Sequence, residues 1–131
     1  MRAAEAVKRF NETAPIAYLA TVDGDRPRVR PMVVLGGEGN CVYLAAASVS
    51  DKITQIADNP HVEICYMDAE QNHLRINGTA EVTDDAALKR RLWQENGDLR
   101  RYFASAEDPR FALLKVTIAE ALLMEAPSLK Y

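Results

Sequence analysis

The chain has 131 residues, 48% of them apolar, a formal net charge of −3 and a pI near 5.4. That is enough apolar material for one core and a single domain over residues 1–131, and too acidic a balance for a protein whose main partner is nucleic acid. No apolar run approaches the ~18 residues of a spanning helix, and the charged N-terminus lacks the apolar centre of a secretion signal, so a soluble, cytoplasmic protein with no membrane partner is expected.

Residues 2–11 have helical periodicity, with Ala3, Val7 and Phe10 on one face and Arg2, Glu5, Lys8 and Arg9 elsewhere; Pro15 closes that segment. A strand over 16–22 comes next, then a turn at 23–27 whose Asp-Gly pair suits a hairpin. The returning strand, 28–35, contains Pro31, which is foreign to a central strand and marks an edge, a bulge or a place of ligand approach. A glycine-rich turn at 36–40 leads to a third strand at 41–47. A helix over 50–58 sets Ile53, Ile56 and Ala57 on one face and stops at Asn59-Pro60.

In the fourth strand, 61–67, Val62, Ile64 and Tyr66 face one way and Glu63 and Cys65 the other. The fifth begins at His73, and Gly78 suggests a bulge within it. Thr83, Asp84 and Asp85 cap a helix whose apolar stripe is Ala87, Leu88, Leu92 and Trp93. A short helix at about 98–105, a loop at Asp108-Pro109, and a last strand over 111–124 broken near Ala119-Glu120 complete the chain, with residues 126–131 as a frayed tail. Hairpins join most strands, so the fold expected is mainly β (α+β), an antiparallel sheet closed into a barrel with flanking helices. Cys41 and Cys65 are expected as buried thiols, and His61 and His73 are too few and scattered for a metal site.

Two stretches carry chemistry. Ser48, Ser50 and Lys52 stand at the start of the helix over 50–58, where unpaired N–H groups and a partial positive charge suit a phosphate; the competing reading is a plain N-cap at Ser50 beside a solvated lysine. Arg28 and Arg30 point to one side of an extended chain and offer bidentate donors, while Pro31, Met32 and Val33 would leave backbone groups free for a flat heteroaromatic ring; the competing reading is a solvated charged face. No acid/base pair is evident, so no catalytic residue is assigned.

In this order, these segments resemble the pyridoxamine 5′-phosphate oxidase-like, FMN-binding split-barrel family. The resemblance runs from Tyr18-Leu19-Ala20-Thr21-Val22 through Arg30-Pro31-Met32, Val42-Tyr43-Leu44, Ser50-Asp51-Lys52, Asn59-Pro60-His61-Val62 and Ile76-Asn77-Gly78-Thr79-Ala80 to Asp108-Pro109-Arg110-Phe111 and the strand after it. It implies a six-stranded antiparallel split β-barrel acting as a homodimer, with FMN in two clefts between the subunits. It also implies that Arg28 to Val33 runs along the flavin ring, that Arg30, Ser48, Ser50 and Lys52 serve the phosphate, and that His73 lies on a strand facing the ring.

Ala45-Ala46-Ala47 depart from relatives that have threonine and an aromatic there. The chain also lacks the longer C-terminal region with which the authentic oxidase holds its vitamin B6 substrate, so the expectation is the short stress-protein or reductase-like branch. The function expected is an FMN-dependent oxidoreductase passing electrons from a nicotinamide to a small molecule. The rivals are a non-catalytic flavin binder or sensor, a deazaflavin or haem split barrel, and a ligand-free structural dimer. Trp93, Tyr102 and Phe103 are candidates either for the dimer interface or for covering the barrel end.

Overall fold

The structure is a computed structural model that describes residues 3–14 and 16–129; the expectations set on Arg2, Pro15, the side chain of Ala3 and the last two residues of the tail lie outside them. Helix α1 (Ala3–Thr13) precedes strands β1 (Ile16–Asp23), β2 (Arg26–Glu38) and β3 (Cys41–Ala47). Helix α2 (Asp51–Asp58) leads to β4 (His61–Met67) and β5 (His73–Thr83). Helix α3 (Ala86–Glu95) and a 3₁₀ turn (Gly97–Arg101) precede the long β6 (Phe111–Met124). The strands form a closed barrel in the order β1-β2-β3-β6-β5-β4, with every neighbouring pair antiparallel.

Strand alternation builds the interior. Leu19, Leu44, Ile64, Tyr66, Leu74, Ile76, Leu114 and Val116 are all fully buried there. Helix α1 plugs one end, where Phe10 meets Tyr66 edge to face at 5.8 Å and the Tyr66 hydroxyl donates to Asn11 Oδ1 at 2.8 Å. Helix α2 lays Ile56 on the same core and Ile53 beside it, whereas Ala57, expected on that face, is exposed. A second cluster lies outside the barrel wall: Leu35, Tyr43, Phe111 and Leu113 pack under Leu92 of α3 and Leu99 of the 3₁₀ turn. This explains why β3 and the first half of β6 read as unbroken apolar runs, since both of their faces are covered.

Trp93 and Phe103 join that outer cluster, with Phe103 stacked on Phe111 at 5.1 Å, while Tyr102 is 58% exposed. Of the helical stripe expected on α3, Leu88 and Leu92 pack inward but Ala87 is exposed. The short helix expected at 98–105 is the tighter 3₁₀ turn, which ends at Arg101. Cys41 is buried as expected, but Cys65 is only half-buried, because Glu63 and Cys65 point outward from β4. Strand β6 does not break: Asn77 pairs with Glu120 and Gly78 with Ile118, so Ala119 is an extra residue in a bulge rather than a chain break. The bulge requires glycine at 78, because a Cβ there would run into the Thr117 carbonyl oxygen.

The turn expected at 36–40 is shorter in the structure. Strand β2 continues through Gly36, which sits at φ +135, and only Gly39 and Asn40 turn. Strand β2 pairs with β3 only from Val34 to Glu38, with an irregularity between Val34 and Gly36. Before that, residues Arg26 to Val33 pair with β1 alone, and Ala45 to Ala47 of β3 pair with β6 alone.

Candidate functional site

Two depressions lie along β2, and Lys52 lines both. The first is an apolar cleft of about 450 Å³ on the outer face, lined by Pro31, Met32 and Val33 on one side and Ala45, Ala46 and Ala47 on the other. Leu99 of the 3₁₀ turn, with Tyr102 and Phe103 just beyond that turn, bounds it on the outside, and Lys52, Asp98 and Arg110 are its charged members. Pro31 explains itself here: it pairs with Tyr18 of β1, and among the described residues the edge of β2 at which it stands meets no other strand.

The second depression is a polar hollow of about 540 Å³ at the barrel end, lined by Asp23, Arg28, Val29, Arg30, Asp51, Lys52 and Gln55. Strand β2 therefore lines the hollow with residues 28–30 and the cleft with residues 31–33.

Arg30 and Lys52 share the hollow, as the sequence order implied. Arg30 is held in place: Nη1 donates to the Leu19 carbonyl at 3.2 Å and to Thr21 Oγ1 at 2.7 Å, and Nη2 donates to Gln55 Oε1 at 2.9 Å. The Thr21 hydroxyl in turn donates to the same Gln55 oxygen at 2.6 Å. None of these acceptors is a carboxylate, so the guanidinium is fixed without being neutralised. Arg28, by contrast, has an ion pair with Asp23 at 3.3 Å across the hairpin.

Among the described residues no carboxylate lies within ion-pair distance of Arg30 or Lys52. Burial lowers the Lys52 pKa, the Arg30 charge lowers it further, and Asp51 only partly opposes them. Burial likewise lowers that of Arg30, with Arg28 adding and Asp51 opposing. A hollow in which cations destabilise one another is one that an anion relieves.

Ser48 and Ser50 flank Val49, which lines the cleft, and line neither depression themselves. Ser50 occupies the cap position of α2 in extended conformation, but its hydroxyl turns back and donates to the Ala47 carbonyl at 2.7 Å instead of capping the helix. Ser48 donates its N–H to the Arg110 carbonyl at 2.8 Å, which ties the turn after β3 to the start of β6. Met32 is 5% exposed, so its contribution to the cleft wall is largely backbone.

His73 is not brought to either depression. It opens β5 beside Met67 and Met124, on the outward face of the sheet, opposite the buried Leu74. Sequence reasoning also missed several residues that the structure assembles. Gln55 stands one helical turn after Lys52, a spacing that puts both on one face of α2. Thr21 pairs across the hairpin with Arg28, diagonal to Arg30. Arg110 comes from a loop with no periodicity to betray it, and Tyr102, expected at the dimer interface or the barrel end, also lines the cleft.

The sequence profile of the family described as pyridoxamine 5′-phosphate oxidase matches residues 3–125. No curated protein matches closely enough to be counted a relative. Among solved structures, the general stress protein 26 of Bacillus anthracis is 26% identical, with a TM-score of 0.83 and 95% of each chain covered. A pyridoxamine 5′-phosphate oxidase-related, FMN-binding protein of Nostoc punctiforme is 22% identical, with a TM-score of 0.73 over 94% of this chain and 82% of that one. A haem-binding protein of Mycobacterium smegmatis is 16% identical, with a TM-score of 0.77 over 95% of this chain and 54% of that one. The last two share the fold and differ in the cofactor for which they are named.

Proposed function

Because this chain belongs to the pyridoxamine 5′-phosphate oxidase family, we propose that it binds FMN and works as an oxidoreductase that passes electrons from a nicotinamide donor to a small molecule. One observation carries the reading: a cationic hollow and an apolar cleft meet at Lys52, along a single strand, in the order that a phosphorylated tail and a flat ring would need. Arg30 and Lys52 hold the phosphate, Arg28 lends charge, and Pro31 to Val33 offer backbone along the ring. The alanines at 45–47 leave the ring room but no hydroxyl, so the phosphate relies on the two cations.

When bound, FMN supplies the redox chemistry, and the protein supplies the seat, its orientation and the exclusion of water. A flavin suits these two depressions because the polar hollow offers its phosphate cations and the apolar cleft offers its ring a flat seat. The working form is a homodimer. Ile16, Tyr18, Val29 and Met67 are exposed apolar side chains of β1, β2 and β4, and they suit an isologous contact. His73 shares an outward sheet face with Met67, so the pairing is its route to a flavin in the partner's cleft.

The absorbance of the protein after incubation with FMN and gel filtration tests this reading. A retained flavin band that bleaches with reduced nicotinamide is expected; a retained band that never bleaches would leave a flavin-binding protein without turnover. A shifted, deazaflavin-like band would change the ligand. Replacing Arg30 and Lys52 with Gln should weaken FMN by about tenfold to a hundredfold each, the weight of a charge-assisted hydrogen bond. Unchanged retention in the double variant would overturn the assignment of the hollow.

A further inference from the structure

Arg110 lines the cleft but not the hollow, and its guanidinium is anchored by Asp108. Its Nε donates to Asp108 Oδ1 at 3.2 Å and its Nη2 to Asp108 Oδ2 at 2.8 Å, so one edge of the guanidinium is fully engaged. Asp108 is itself fixed. It is 7% exposed, and its oxygens also accept the Ala104 and Arg110 backbone N–H groups, both at 2.9 Å.

The Arg110 side chain is nevertheless 65% exposed and lines the cleft beside Tyr102. A guanidinium has five N–H donors, and Asp108 takes two of them. The remaining Nη edge, with no acceptor among the described residues, is a preorganised fork for a second planar oxyanion. The same cleft is lined by the small side chains of Ala45 to Ala47.

We propose that Arg110 is the specificity residue for the electron-accepting reactant, and that this reactant is a small planar molecule carrying a carboxylate. The proposal rests on reading the cleft as the seat of the flavin ring. Tyr102 gives the reactant an aromatic surface, and Arg110 receives its carboxylate on the free edge of the fork.

Benzoate and its neutral isostere benzamide are the probes. Each is titrated by calorimetry into the protein with and without FMN, and the flavin band is followed in the loaded form. Benzoate is expected to bind at least about tenfold more tightly than benzamide, the weight of one charge-assisted hydrogen bond. Arg110→Gln should abolish that preference. Arg110→Lys, which keeps a cation against Asp108 and so protects the fold, should lose most of it because an ammonium has no planar fork. Equal binding of the two probes, a preference that survives both variants, or no binding at all would overturn the proposal. A protein that takes up no FMN refutes the flavin reading instead. Its flavin-free titration still decides the point: an Arg110-dependent benzoate preference upholds the carboxylate fork, and its absence refutes it.

Discussion

Lys52 is a side chain whose charge the fold disfavours, since burial and the neighbouring Arg30 both push its pKa below the ordinary 10.5. A lysine with a lowered folded pKa binds fewer protons in the native than in the unfolded state between the two values. Its charging cost is therefore fully present below the folded pKa and fades as pH rises toward 10.5. The flavin-free protein should gain stability relative to Lys52→Met as pH climbs through the alkaline range, while FMN affinity falls over the same range. Thermal unfolding of both proteins at a series of pH values, beside FMN titrations, checks the two opposite slopes. Parallel slopes would mean that Lys52 does not face the phosphate.

Gln55 belongs to the same residue-scale argument. Its Oε1 accepts from both Arg30 and Thr21, so Gln55→Leu would release the guanidinium without removing it. The expected result is a several-fold loss of FMN affinity, smaller than for Arg30→Gln, and strongly non-additive with it in a double-mutant cycle.

At the scale of elements, the β5–β6 ladder depends on its bulge. Gly78→Ala would push a Cβ into the Thr117 carbonyl, backbone against backbone, and should cost about 1–3 kcal/mol, an overpacking penalty read as a lower denaturant midpoint. The loop before β6 depends on Asp108. Hydrogen bonds from the Arg110 side chain, then from the Ala104 and Arg110 amides, hold its carboxyl well below the ordinary 3.8. A depressed carboxylate stabilises above its unfolded value and loses that contribution as pH falls through its folded one. The stability gap between the native chain and Asp108→Asn should therefore be widest near neutrality and shrink below pH 3.8. Urea unfolding at both ends of that range measures it.

These two features mark how far local signals reach. Gly78 is readable because a glycine amid alternating Leu74, Ile76 and Ala80 breaks the rule of a strand interior. Arg30 and Lys52 are readable because the start of a helix and an extended Arg-Val-Arg each carry a physical preference for anions. The extent of the 36–40 turn is not, because Gly36 can continue a strand at positive φ as easily as it can end one. Nor is the donation of the Ser50 hydroxyl to the Ala47 carbonyl, because that acceptor is in place only once β3 has delivered it. Gln55, Thr21 and Arg110 owe their roles to barrel closure, which no window of sequence contains.

At the scale of the whole molecule, the barrel leaves an apolar face without a cover. Its interior and one outer face are covered, yet Tyr18 of β1 is 53%, Met67 of β4 59% and Val29 of β2 69% exposed. Tyr18 pairs with Pro31 on one side and Cys65 on the other, so this apolar face reaches the very strand that lines the cleft. A second copy covering it would close the cleft and bury the face together, coupling assembly to cofactor retention. Glutamates placed at Tyr18 and Met67 would sit in water in a lone subunit and perturb its fold little, but two copies would bring four of them into contact. The double variant should therefore sediment as a monomer, keep the circular dichroism of the barrel, and lose FMN at concentrations where the native protein retains it. A variant that remains dimeric would place the interface elsewhere. One that is monomeric yet still binds FMN with native affinity would show that a single subunit holds the whole cofactor site.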